Sequence, residues 1–133
     1  MTNWYSIKDI DQLDSPALVI FPERVQQNIH RAVAMTGDAT RLRPHIKTHK
    51  TREASQMMLE AGITKFKCAT IAEAEMLGQC QAPDVLLAYQ PGGPKLQRFA
   101  GLVDKYPNTK FSCLVDNIDA AGKVAGVFAS AGK

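Results

Sequence analysis

The feature that most constrains this chain is a regular alternation of short apolar runs with amphipathic ones. "SPALVIF" at 15–21 reads as a strand, and "PERVQQNIHRAVAMTG" after it as a helix, with Pro22 at its first position and Val25, Ile29 and Val33 four apart. "LRPHIK" reads as a second strand, followed by "REASQMMLEAG", where Ala54, Met57, Met58 and Ala61 share a helical face that ends at Gly62. "KFKCAT" is a third strand; "TIAE" is a capping box, Thr70 as N-cap with Glu73 three residues on, opening the helix "IAEAEMLGQC". "DVLLAYQ" is continuously apolar, as in a parallel sheet, and leads through "PGGP" to a helix whose face carries Leu96, Phe99, Ala100 and Val103. "KFSCLVDN" is the last strand, and Ile118, Ala121, Ala125 and Phe128 mark a final helix that Gly122 and Gly126 weaken.

Strand, helix, strand, helix in that order implies parallel strands joined by helical crossovers. Two architectures satisfy it, a doubly wound open sheet and a (β/α)8 TIM-type barrel. A barrel typically needs roughly 250 residues. The 133 residues here would make about the first half of one. The nucleotide-binding form of the open sheet would show GxGxxG or GxxxxGK[ST], and neither occurs. No linker or low-complexity run divides the chain, so residues 1–133 read as one unbroken series.

A content of 45% apolar and 22% charged residues is that of a globular protein. No stretch reaches the ~20 apolar residues of a membrane span, and the N-terminus has acids where a signal peptide is apolar. Cys68, Cys80 and Cys113 are odd in number and form no CxxC pair, which suits small buried hydrophobes in a reducing compartment. The expectation is a cytoplasmic protein with no membrane partner.

Charge is not spread evenly. Lys and Arg total 16 against 13 acids, but five of those cations lie in "RLRPHIKTHKTRE" at 41–53; the remainder holds 11 cations against 12 acids. So local an excess indicates a site rather than a nucleic-acid face, and the segment lacks the interleaved aromatics that stack on bases. Several readings stay open on local sequence: a solvated basic loop, an anion or nucleic-acid grip, a metal held by His45 and His49, or covalent chemistry at a lysine. Pro44 and the β-branched neighbours disfavour a helix that would bring the two histidines together, and no carboxylate lies close by. In a strand, Arg43, His45 and Lys47 share one face and Leu42, Pro44 and Ile46 the other. Lys47 then falls at the C-terminal end, where parallel α/β proteins place their chemistry. A lysine partly desolvated there beside other cations would have a lowered pKa, as a Schiff-base nucleophile requires. Lys50 lies beyond the strand end, and Lys67 sits mid-strand, where it would need a partner inside a barrel.

"LRPHIKTHKT", followed by "GITKFKCATIAEAEML", "DVLLAYQP" and "FSCLVDN", resembles the N-terminal part of the D-threonine aldolase and D-serine dehydratase-like family, related to the alanine racemase barrel. The resemblance runs from about "LDSPALVIF" to "LVDN", and the PHxKTHK and ATIAEAE blocks at this spacing carry it. It implies a TIM-type barrel binding pyridoxal 5'-phosphate covalently on the lysine of PHxK, here Lys47, with His45 lining the pocket and Thr70 as a further cofactor contact. The ends Tyr89–Gln90 and Asp116–Asn117 would fall on the same rim.

The implied activity is that of a lyase on D-amino acids: retro-aldol cleavage of a D-β-hydroxy amino acid to glycine and an aldehyde. Dehydration, racemisation, or a non-catalytic pyridoxal-phosphate carrier are the alternatives. In the family the phosphate site, the ligands of any zinc or manganese ion and a second, β-rich domain lie in the C-terminal part. This chain would hold about half of a barrel. A half-barrel exposes strand edges and an apolar interior, so homodimer formation or another self-association is expected.

Overall fold

The computed structural model describes residues 3–130. Five α-helices and three strands follow one another along it, helix and strand alternating from α2 onward. They are α1 (Pro22–Thr36), α2 (Arg52–Glu60), β1 (Lys65–Cys68), α3 (Ile71–Gln79), β2 (Asp84–Leu87), α4 (Pro94–Lys105), β3 (Lys110–Cys113) and α5 (Ile118–Ser130). The strands form one parallel sheet in the order β1-β2-β3. Lys67 lies opposite Leu86 and Leu86 opposite Ser112 in register.

Period-2 alternation sorts the sheet into two faces. Phe66, Cys68, Val85 and Leu87 are wholly buried and join Ile71, Ala74 and Leu77 of α3 and Phe99 and Leu102 of α4 in the core. Lys65, Lys67, Asp84 and Leu86 occupy the other face and stay half-buried. The helices start where the sequence stops them from starting earlier. Pro22 and Pro94 open α1 and α4, and the Thr70 hydroxyl accepts the Glu73 N–H to cap α3. No helix among the described residues is long and apolar enough to cross a membrane.

Three expectations are corrected. Residues 15–21 form no strand: no described strand runs alongside them, and Leu18, Val19 and Ile20 are exposed. Residues 42–47 also fall short of a strand. Pro44 has no N–H to give a ladder, so the segment makes one parallel bridge, His45 to Lys67, with the Pro44 carbonyl accepting the Lys67 N–H at 2.9 Å. The chain then tightens into a one-turn 3-10 helix, Ile46–Thr48. In α5, Ile118 is exposed at the helix start and the packed side is Ala121, Val124 and Phe128, which turns the face away from the Ile118–Ala125 line.

Candidate active site

The segment Arg43–Lys50 runs beside β1 and keeps the two-sided pattern of a strand even without a ladder. Arg43 and His45 lie on the less covered face, while Ile46 is fully buried in the core. Arg43 reaches along the sheet to Asp84 at the start of β2, with guanidinium–carboxylate distances of 2.7 and 3.0 Å, and also donates to the Phe66 carbonyl. One end of the segment is thereby tied to the sheet.

Beyond His45 the backbone turns. The His45 Nδ1 accepts the Lys47 N–H at 3.2 Å, and the Ile46 carbonyl accepts the N–H groups of both His49 and Lys50. The His49 Nδ1 in turn accepts the Thr51 N–H at 3.1 Å. Lys47 therefore sits not at a strand end but on a closed turn just past one. Its side chain is exposed, against the partial desolvation expected for it. Burial, then the charges of Lys47 and Lys67, pull the His45 pKa down, with Glu73 opposing. A neutral ring with Nδ1 as acceptor carries its proton on Nε2.

Glu73 is the residue that sequence reasoning missed. Its capping-box position was legible, but its carboxylate is 6% exposed and serves more than the helix. One oxygen accepts the Ala69 N–H at 2.7 Å and the other lies 3.6 Å from the Lys50 ammonium. Its charge also acts on His45 and His49, and burial, followed by that charge, pushes the Cys68 thiol up to about 12. A signal was present: Glu73 precedes Leu77 by four, on the same side of α3 as the core.

The rivals of Lys47 separate. Lys50 is exposed but paired, and Lys67 stands half-buried on β1 across from His45. Thr70, at the C-terminal end of β1, lines a cavity of about 180 Å³ with Tyr89, Lys95 and Arg98. Its hydroxyl already caps α3. Gln90 and Asn117 come together on the same rim, since the Gln90 side-chain oxygen accepts the Asp116 N–H at 3.2 Å. Asn117 itself accepts the Ala120 N–H, capping α5. No group of three His, Cys, Asp or Glu among the described residues is placed to hold a metal ion.

The rim at the C-terminal ends of the strands thus offers an exposed primary amine, a neutral imidazole bonded to that amine's own backbone, and a second lysine within electrostatic reach of the ring. That set fits the aldehyde end of pyridoxal phosphate. A primary amine can bond an aldehyde carbon, and a neutral imidazole beside it adds no charge to the pocket.

Comparison with known proteins bears on the family and the fold. The model of the alanine racemase N-terminal domain matches residues 20–126. The chain is 32% identical over 114 residues to a D-threo-3-hydroxyaspartate dehydratase of Delftia sp. (strain HT23), covering 85% of this chain and 30% of that protein. It is also similar to the crystal structure of D-threonine aldolase from Filomicrobium marinum, with a TM-score of 0.78 and 25% identity over 90% of this chain and 32% of the other. The chain therefore spans about a third of the length of these relatives. Its parallel βα units match the N-terminal barrel half of fold type III pyridoxal-phosphate enzymes, which makes the Lys67–Leu86 face the inward one. With the match extending over most of its length, the chain belongs to the alanine racemase N-terminal domain family.

Proposed function

We propose that the complete protein is a pyridoxal-phosphate-dependent lyase acting on D-β-hydroxy amino acids, with Lys47 as the residue that holds the cofactor. The observation that carries this is the position of Lys47. It projects from a closed turn at the C-terminal end of β1, beside a neutral His45, in a chain of this family. Both relatives named above act on a D-amino acid with a hydroxyl at Cβ, which supports that substrate class.

When bound, the cofactor ring withdraws electrons from the substrate Cα. The chain's own residues do the rest of what is proposed here. Lys47 fixes the ring by one covalent bond, and His45 sets the direction of Lys47 through its backbone. Thr70 presents its hydroxyl at the neighbouring strand end. The phosphate site, any metal ligands and the groups that move protons belong to the C-terminal part of the complete protein, which also supplies the strands that close the barrel. Self-association as a homodimer completes the proposal.

Retro-aldol cleavage is placed first, on the similarity to the aldolase structure across nine-tenths of the chain. Dehydration is the second reading, favoured by the higher identity to the hydroxyaspartate dehydratase. The complete protein incubated with D-threonine and with D-threo-3-hydroxyaspartate distinguishes them. Glycine with an aldehyde supports cleavage, ammonia with a 2-oxo acid supports dehydration, and neither product from either substrate removes the lyase reading.

A further inference from the structure

We propose that Glu73 and Lys50 form a clasp that fixes the turn carrying Lys47, so that both act as positioning residues for the cofactor-holding amine. This rests on the assignment of Lys47 above. Glu73 is buried in the first turn of α3, and its two oxygens face different elements: Ala69 at the end of β1 and Lys50 at the end of the turn. Glu73 thereby touches both elements.

The turn needs such a hold. Lys50 has φ +54, a left-handed conformation that a non-glycine residue keeps only when its surroundings impose it. That conformation lets the Lys50 N–H return to the Ile46 carbonyl at 2.8 Å and close the turn around Lys47. A carboxylate as buried as Glu73 needs a cation or hydrogen-bond donors, and with its backbone in this shape Lys50 brings the cation to 3.6 Å. The two requirements satisfy each other. The Lys50 side chain is 63% exposed, so the pair adds little to global stability; what it determines is where the turn sits. His45 and His49, at either end of the turn, both lie within the field of Glu73.

The test uses the complete protein freed of cofactor and titrated with pyridoxal 5'-phosphate. Binding is followed by the visible absorbance of the lysine-bound form, with borohydride trapping and peptide mapping to locate the label. Lys50→Met and Glu73→Gln are each expected to weaken binding about tenfold, and the double variant by no more than either, because the residues work as a unit. Lys50→Arg restores binding, since it returns the cation. Amide exchange at His49 and Lys50 in the cofactor-free protein rises in Lys50→Met and not in Lys50→Arg, while the melting temperature of both stays near that of the parent.

Additive losses, unchanged binding in both single variants, or a loss that arginine does not repair would each overturn the clasp. If Glu73→Gln does not fold, the comparison of Lys50→Met with Lys50→Arg decides alone. A label on a lysine other than Lys47 in the unaltered protein defeats the assignment of Lys47. The exchange measurement then still decides whether the clasp holds the turn.

Discussion

Arg43 and Asp84 are joined side by side, guanidinium to carboxylate at 2.7 and 3.0 Å, across 41 residues of sequence. The pair ties the segment leading into the Lys47 turn to the first residue of β2. Both side chains are less than a third exposed, 31% and 23%, and the two-pronged geometry is the strong form of such a contact. Arg43→Ala should cost about 1–2 kcal/mol of stability, read as a lowered melting temperature.

The same pair sets part of the acid response. Hydrogen bonding to Arg43, then the charges of Arg43, Lys110 and Lys65, hold the Asp84 pKa below its ordinary value against the effect of burial. A lowered carboxylate pKa gives stability that is complete above the unfolded value and is lost as pH falls through the folded one. Melting temperature should therefore drop below about pH 4. In Arg43→Ala the drop becomes shallower without vanishing, because Asp38 and Glu75 are lowered as well.

His49 governs a separate, milder window. Burial pulls its pKa below the ordinary histidine value, with the charge of Glu73 and the backbone of Thr51 opposing, and its Nε2 is buried with no hydrogen-bond partner. The unfolded chain takes up the proton first as pH falls, so stability declines below about pH 6.5 and continues to decline through the lower folded pKa. His49→Asn, whose side-chain oxygen can take over the role of Nδ1 toward Thr51, should flatten the curve between the histidine and carboxylate windows. Melting curves across pH for the two proteins show whether it does.

Gly78 is fixed by a neighbour rather than by its backbone. A Cβ built there would lie 2.7 Å from the Tyr106 ring, which packs across α3 from the end of α4. Replacing a helical glycine by alanine ordinarily gains up to ~1 kcal/mol. Here the displaced ring should reverse the sign and leave Gly78→Ala destabilised by about 1–3 kcal/mol in thermal unfolding.

The order of elements was legible because alternate residues of β1 and β2 are apolar and wholly buried, and because Pro22, Pro94 and the Thr70–Glu73 capping box punctuate the helices. Residues 15–21 misled for the same reason. An apolar pattern marks what a segment is able to bury, and a strand also needs a neighbour for its hydrogen bonds, which no described strand supplies there. At the site, Lys47, His45 and the cap at Thr70 were visible as residue types in a motif, and the strand reading correctly divided Arg43 and His45 from Ile46. The turn was not, since it depends on Pro44 cutting the ladder to one bridge and on Lys50 taking a left-handed backbone. Nor were the Arg43–Asp84 and Lys50–Glu73 pairs, which join residues 41 and 23 apart and exist only once the sheet is assembled.

The central claim is that Lys47, rather than Lys50 or Lys67, holds the cofactor. Reducing the complete protein with borohydride in the presence of pyridoxal 5'-phosphate and mapping the labelled peptide tests it most directly. A single stoichiometric label on Lys47, absent from Lys47→Ala, is expected. A label on Lys50 or Lys67, or no label on the unaltered protein, would contradict it.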